Sequence, residues 1–271
     1  MFFETRDGTK LAYEDYGQGD PILFVHGAML STDMWEYQFP YFVERGYRVI
    51  GMDRRGHGRS DRPSTGYDIE TGADDLADLI EHLDLRDFTV ITHSMGGHET
   101  VSYLNKYGED RVARLALVSA LLPFMKQTDD NPHGIPEALI EATLAQVQRN
   151  RPRWLANQAQ AYFATNLFND VSPAMIESVI AQCLTPSPWA VLQSQRAVLN
   201  TDLRKQVAAV TVPTLIVHGD ADFSAPIDVT GRRTAELLPK ADYKEYPGAG
   251  HGVYITHQDQ LNADLLAFIQ S

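Results

Sequence analysis

The residues best suited to chemistry lie where a buried strand runs straight into a helix. This segment reads Val90-Ile91-Thr92-His93-Ser94-Met95-Gly96-Gly97, with the serine at the corner. It resembles the G-x-S-x-G pattern of a nucleophile elbow, a tight turn that exposes a serine hydroxyl above a sheet. Gly96 supplies the second glycine, and Thr92 replaces the first. Because a serine after a strand is also typical of a helix N-cap, this segment alone leaves catalysis and capping open.

Two later segments contain the partners that a nucleophilic serine needs. The first is His218-Gly219-Asp220-Ala221-Asp222, directly after a buried strand, and the second is the glycine-rich loop Gly250-His251-Gly252. A serine hydroxyl is a weak nucleophile and requires a base such as histidine, whose tautomer a carboxylate must fix. The order serine, aspartate, histidine along the chain therefore predicts a catalytic triad of Ser94, an aspartate of this segment and His251.

A site for the developing negative charge is predicted near the first parallel strand. His26-Gly27-Ala28-Met29 follows that strand, and Met95 follows the serine. Backbone N–H groups in such positions bind the oxyanion of acyl transfer, and losing one donor costs about 100- to 1000-fold in rate. We predict that the N–H groups of Ala28 and Met95 form this oxyanion hole. A simple strand-ending turn at His26-Gly27 is the alternative.

The elements that must position these residues alternate between strand and helix. Short apolar runs, typical of strands covered on both faces, occur at 21–25, 47–53, 88–91, 115–118 and 214–217, after an antiparallel pair at 2–6 and 11–17. Helical patterns occur at 75–83, 95–107, 227–238 and 257–269. The alternation predicts an α/β fold with a mostly parallel, doubly wound sheet.

Residues 123–205, here called the insertion, break this alternation. They contain helical stretches at 138–148 and 174–182, several prolines, and the aromatic residues Trp154, Tyr162, Phe163, Phe168 and Trp189. We predict a helical cap over the carboxyl edge of the sheet, where open α/β sheets bind ligands, with 1–122 and 206–271 forming the core. A packing insertion without a pocket is the alternative.

Composition narrows the classes of partner. A net charge of −13 without a basic patch disfavours nucleic acid and membrane surfaces as partners. The single cysteine, Cys183, excludes an internal disulfide, and neither a secretory signal nor a long apolar span is recognisable, so we expect a cytoplasmic protein. We expect no metal and no cofactor, since His93 and His98 lack partners with metal-ligand spacing and Gly56-His57-Gly58 is a poor dinucleotide motif.

Acidic residues on two predicted helices are expected to face solvent. Glu70, Asp74, Asp75 and Asp78 share one helix, and Glu99 follows the elbow. We interpret the first four as a solvated face and Glu99 as helix surface or pocket rim.

Taken together, these motifs resemble those of a known family over nearly the whole chain. The chain is similar to the branch of α/β-hydrolases that contains aryl esterases, γ-lactamases and cofactor-free (non-haem) haloperoxidases. The resembling stretches are 25–27, 33–38, 46–50, 53–61, 94–97, 129–136, 218–222 and 250–252. The resemblance implies that Asp222, the second aspartate of its segment, is the triad acid. It also implies hydrolysis of small or aromatic esters, a side reaction in which hydrogen peroxide yields a peracid that oxidises halide, and frequent oligomers.

Three residues depart from the family pattern near the expected pocket. Thr92 replaces a glycine, Ala28 stands where relatives often have a bulky aromatic, and His93 stands where they often have phenylalanine. A smaller wall at 28 and a polar ring at 93 predict a roomier, less apolar pocket that accepts larger or more polar acyl groups. The predicted pocket residues are Met29, His93, Leu121, Met125 and Ile227.

These patterns favour acyl transfer from a small-molecule ester to water through an acyl-enzyme on Ser94. Hydrolysis of a lactone, a γ-lactam or a carbon–carbon bond by the same triad is one alternative. A ligand receptor that kept the fold but not the turnover is a more distant one. A homo-oligomer is compatible with the sequence but is not required by it.

Overall fold

The computed structural model describes residues 1–167 and 169–271 and contains an eight-stranded sheet. The strands are β1 (Phe2–Glu4), β2 (Lys10–Tyr16), β3 (Pro21–Val25), β4 (Arg48–Met52), β5 (Phe88–His93), β6 (Val112–Val118), β7 (Thr214–Gly219) and β8 (Asp242–Tyr246). Their spatial order is β1-β2-β4-β3-β5-β6-β7-β8. β2 pairs antiparallel with both of its neighbours, β1 and β4, and the other neighbouring strands of the sheet pair in parallel. The predicted α/β class is confirmed.

Ten α-helices connect and flank these strands. They are α1 (Gln38–Val43), α2 (Ile69–His82), α3 (Gly96–Tyr107), α4 (Glu137–Phe163), α5 (Pro173–Leu184), α6 (Pro188–Asn200), α7 (Arg204–Ala208), α8 (Gly231–Leu237), α9 (Val253–Thr256) and α10 (Gln258–Ile269), all within the described residues. Short 3-10 helices span Thr32–Trp35 and Thr165–Leu167. In the described part of the chain, no helix combines the length and apolar character needed to cross a membrane.

The sheet separates two apolar layers, because side chains alternate along each strand. In β5, Val90 packs into a layer with α2 and α3, whereas its neighbour Ile91 packs into a layer with α1 and α10. Every residue of β5 is buried. A central strand covered on both faces reads as a continuous apolar run, which is why the sequence predicts it.

One strand was missed by the sequence patterns. β8 reads Asp-Tyr-Lys-Glu-Tyr and pairs in parallel with β7 at the edge of the sheet. Only its last residue, Tyr246, is buried. An edge strand needs little apolar surface, so its polar sequence carried no strand signal.

The segment between β6 and β7 has no strand among its described residues and consists mainly of α4, α5, α6 and α7. The predicted helix 138–148 is the first part of α4, which extends to Phe163. The chain kinks at Asn150 (φ −160°, ψ 78°), and the helix continues through Pro152 after that kink. Buried residues of the insertion, among them Val147, Phe163 and Val191, join the same apolar layer as α1 and α10. Phe168 lies outside the described residues.

Two acidic side chains that were expected at helix surfaces are buried in ion pairs. Asp75 of α2 bonds Arg55, with Nε to Oδ2 at 2.7 Å and Nη2 to Oδ1 at 2.5 Å. Glu99 of α3 bonds Arg54 in the same two-pronged way, at 2.6 and 2.7 Å. The expectation that Asp75 belongs to a solvated face and Glu99 to a surface or rim was wrong, since each finds an arginine that is distant in sequence.

Candidate active site

The elbow places Ser94 in a conformation that side chains rarely adopt. β5 ends at His93, α3 begins at Gly96, and the φ angle of Ser94 between them is 57°. A Cβ at Gly96 would lie 2.8 Å from the carbonyl oxygen of Val25. Glycine is therefore required at 96, and the left-handed turn at 94 stores strain of the kind found at functional sites.

The capping interpretation of Ser94 is wrong. The N-cap residue of α3 is Met95, and no side-chain bond caps that helix. The Ser94 hydroxyl instead donates to Nε2 of His251 at an Oγ–Nε2 distance of 3.0 Å. Nδ1 of His251 donates to Oδ2 of Asp222 at 2.7 Å. Hydroxyl, imidazole and carboxylate thus form one continuous chain of hydrogen bonds.

Of the two candidate aspartates, only Asp222 reaches the histidine. Its Oδ1 accepts the backbone N–H groups of Ser224 and Ala225 at 2.9 and 2.8 Å. Burial alone would raise the pKa of the Asp222 carboxyl, but the charge and N–H of His251 and the donors around it outweigh burial and lower that pKa. Asp220 is exposed and accepts the N–H of Gly248.

A second histidine, His218, lies near the same carboxylate and was not singled out from the sequence. Its Nε2 is 3.5 Å from Oδ2 of Asp222 and donates to the carbonyl of Ala225 at 2.8 Å. Burial lowers the pKa of His218, which keeps the ring neutral. The only available signal was its place at the end of a buried strand, which is equally typical of a packing residue.

His93 lies beside His251. Its Nε2–H donates to the backbone carbonyl of His251 at 3.0 Å, and the two ring centroids are 4.7 Å apart. Trp35 and Tyr254 contact its other edges. Burial and the neighbouring charge of His251 lower the pKa of His93 to about 3, so the His93 ring is uncharged near neutral pH.

The loop after β3 approaches the elbow closely. A Cβ at Gly27 would lie 2.5 Å from Nδ1 of His93 and 3.4 Å from Cβ of Ser94. Among the described residues, the backbone N–H groups of Ala28 and Met95 donate no hydrogen bond. Two unpaired donors therefore flank the serine, as expected for an oxyanion hole.

An apolar cluster beside the serine joins the core to the insertion, and we call it the pocket cluster. It contains Ile69, Met95, Leu121, Met125, Val198 and Ala225, with Ala28 and Ile135 packed against it. Two predicted pocket residues, Leu121 and Met125, belong to it. Met29 packs into the α1 and α10 layer instead, and Ile227 is buried outside these clusters.

Within the described part of the chain, no group of three or more His, Cys, Asp or Glu residues is arranged to hold a metal ion.

Comparison with known proteins agrees with this geometry. A family model described as alpha/beta hydrolase fold matches residues 20–258. The chain belongs to the α/β-hydrolase family. This α/β-hydrolase is 40% identical over 274 residues to a non-heme haloperoxidase of Rhodococcus erythropolis, covering 100% of this chain and 99% of the relative. It is 34% identical to a bifunctional esterase/perhydrolase of Acinetobacter calcoaceticus, covering 100% and 99%.

Solved structures place this α/β-hydrolase near proteins of the same two kinds. An esterase from Exiguobacterium antarcticum superposes with a TM-score of 0.95 at 31% identity, covering 100% of this chain and 99% of that one. A bromoperoxidase from Bacillus anthracis superposes with a TM-score of 0.93 at 34% identity, covering 100% of both chains.

Proposed function

We propose that this protein is a serine hydrolase that cleaves small or aryl carboxylic esters through an acyl-enzyme. The observation that carries the proposal is the unbroken hydrogen-bond chain from Asp222 through His251 to Ser94, flanked by unpaired N–H groups. The esterase and perhydrolase names of relatives that match the whole chain support it.

The reaction begins with attack of Ser94 Oγ on the ester carbonyl. Nε2 of His251 takes the hydroxyl proton, and the carbonyl electron pair moves onto oxygen, where the N–H groups of Ala28 and Met95 stabilise it. Collapse of this intermediate breaks the ester C–O bond, and His251 gives its proton to the leaving alcohol. Asp222 holds the tautomer of His251 and stabilises its cation throughout.

Water then completes the cycle. His251 takes one proton of water as the water oxygen attacks the acyl carbon. The proton then passes from His251 to Ser94 Oγ as the Ser94–acyl bond breaks and the acid is released. When hydrogen peroxide replaces water in this step, the product is a peracid, which oxidises halide in solution. The haloperoxidase and perhydrolase names of relatives support this second outcome.

The pocket cluster is proposed to hold the acyl group, and the insertion to cover it as a lid. The pocket cluster joins Met95 of the elbow to Val198 of α6 and to Ala28. The expected tolerance of larger or more polar acyl groups rests chiefly on Ala28, because His93 packs against His251. The core and cap boundaries, the cytoplasmic location and the homo-oligomer stay predictions.

The test is Ser94→Ala, which we expect to lower kcat for p-nitrophenyl esters by about 10⁴-fold or more without loss of fold. Ser102→Ala, at a half-buried position of α3 outside the site, is the matched control and should retain full activity. A p-nitrophenyl series from acetate to hexanoate, with a γ-lactone and a γ-lactam beside it, defines the substrate class. Full activity of Ser94→Ala would refute the mechanism, and a sharp optimum at acetate would refute the roomy pocket.

A further inference from the structure

The guanidinium of Arg54 donates hydrogen bonds to the loop that carries the Ala28 N–H. Its Nη2 donates to the carbonyl of His26 at 2.9 Å, and its Nη1 donates to the carbonyl of Gly27 at 3.2 Å. Nε and Nη2 also bond the two carboxylate oxygens of Glu99 at 2.6 and 2.7 Å. Both charged side chains are about 5% exposed or less.

The His26 side chain provides a second hydrogen bond to the carbonyl of Gly27. Its Nε2 accepts the backbone N–H of Arg54 at 3.0 Å, so the ring proton lies on Nδ1. Nδ1–H then donates to the carbonyl of Gly27 at 2.7 Å. Burial and the charge of Arg54 hold the pKa of His26 well below its usual range, which keeps this tautomer neutral.

Holding that carbonyl also orients the next N–H. The oxygen of Gly27 and the N–H of Ala28 belong to one peptide unit, which is planar and almost always trans. When the oxygen is held toward Arg54 and His26, the N–H of Ala28 must point to the opposite side. The unpaired state of that N–H agrees with its pointing away from Arg54.

We propose that Arg54, with its charge balanced by Glu99, is a positioning residue for the oxyanion hole. It keeps the Ala28 N–H preorganised toward the carbonyl oxygen attacked by Ser94, although it touches neither substrate nor nucleophile. This inference rests on the proposed function. It assigns a catalytic consequence to an ion pair whose glutamate the sequence suggested was a surface residue.

The neighbouring pair Arg55–Asp75 is a matched control. It is as buried as Arg54–Glu99 and bonds in the same two-pronged way. Its remaining side-chain contact is with Asp7 at 3.0 Å, and among the described residues it makes no bond to the loop 26–28. A purely structural contribution of a buried pair should therefore be equal at the two positions, whereas a contribution to oxyanion binding should be confined to Arg54.

The experiment compares Arg54→Lys with Arg55→Lys. Lysine keeps the charge that balances the carboxylate but lacks the planar fork that holds two carbonyls. We expect Arg54→Lys to lower kcat for p-nitrophenyl acetate about 100-fold with KM within about 3-fold, the size of one lost oxyanion donor. Arg55→Lys should lower the melting temperature similarly and leave kcat within about 3-fold.

The affinity for a transition-state analogue is a measurement that a change in stability alone does not alter. A trifluoromethyl ketone forms a tetrahedral oxyanion on serine, so its affinity should fall with kcat/KM in Arg54→Lys, whereas affinity for the product acid should not. If Arg54→Lys does not fold, Glu99→Gln replaces it as the test variant, because it removes the carboxylate charge but keeps the side-chain shape. We expect Glu99→Gln to lower kcat about 10-fold.

Three outcomes overturn the inference: unchanged kcat in both Arg54→Lys and Glu99→Gln, equal kcat losses at Arg54 and Arg55, or unchanged ketone affinity in Arg54→Lys. Failure of the proposed function is recognised separately, since the unmodified protein would then show no ester turnover that depends on Ser94.

Discussion

The carboxyl edge of the sheet and the insertion over it differ in how they hold their residues. At the sheet edge Ser94, Asp222 and His251 are all buried, and each is fixed by hydrogen bonds to its neighbours. In the insertion, most residues along α4 are exposed or half-buried. A rigid edge beneath a more exposed cover suits a site that must preorganise its chemistry while it admits different substrates.

The two regions meet at residues 247–252, the loop that contains His251 and is here called the histidine loop. The carbonyl of Tyr162, in the last turn of α4, accepts the N–H of Gly252 at 2.8 Å. The two hydrogens of the Asn169 Nδ2 amide face three carbonyls, those of Phe163, Ala164 and Gly248, at Nδ2–O distances of 3.0, 3.2 and 2.8 Å. The cover thus contacts the loop that carries His251 through one backbone bond and the Asn169 side chain, so a displacement of the end of α4 is expected to move the base.

The largest effect should come from the rigid edge. Asp222→Asn is expected to lower kcat about 10⁴-fold, because the amide no longer fixes the tautomer of His251 or stabilises its cation. Asp220→Asn, an exposed neighbour of the same chemistry, should retain kcat within about 3-fold. Steady-state kinetics of the two variants at pH 7 checks this, and equal losses would show that the histidine does not depend on Asp222.

The buried edge should also govern acid stability. Burial lowers the pKa of His98 to about 3, and neither ring nitrogen has a hydrogen-bond partner among the described residues. Because the folded-state pKa lies below the unfolded value of about 6.5, stability is full above pH 6.5 and is lost as pH falls toward 3. Between pH 6.5 and 5 the loss from this residue is about 2 kcal/mol.

His98→Leu removes that titration. Urea unfolding at pH 7 and pH 5 should show a pH-dependent loss smaller by about 2 kcal/mol in this variant than in the unmodified protein. His133→Leu, at an exposed position of the insertion, should leave the pH dependence unchanged. A His98→Leu variant with the original pH dependence would mean that the ring is protonated in the folded protein.

The smallest effect is expected where cover and edge meet. Asn169→Ala removes the side-chain amide that links the carbonyls of Phe163 and Ala164 at the end of α4 to the carbonyl of Gly248. We expect kcat to fall about 10-fold with little change in stability. Asn157→Ala, on an exposed face of α4, should have no effect. If Asn169→Ala changed KM alone, the insertion would act on substrate entry and not on the position of His251.

The same division explains what the sequence could predict. The elbow, the order of serine, aspartate and histidine, and the central strands follow local patterns, and their elements lie where those patterns indicated. The acidic partners were missed because burial of a charge depends on a residue far away in the chain. Arg54 and Glu99 are 45 positions apart, and no local signal connects them.

The packing of Met29 carried no signal in the sequence. Met29 has a positive φ of 60°, and its side chain packs into the α1 and α10 layer. β8 lacked an apolar pattern because it lies at an edge. A proline inside a helical pattern often ends the helix, but α4 continues beyond Pro152 because the chain kinks at Asn150.

The most direct test of the account is covalent trapping of the nucleophile. A p-nitrophenyl phosphonate ester should label the protein once and release one equivalent of p-nitrophenol, and peptide mass spectrometry should find the adduct on Ser94 alone. Asp222→Asn should be labelled far more slowly, and Ser94→Ala not at all. Labelling of another residue, or stoichiometric labelling of Ser94→Ala, would contradict the account.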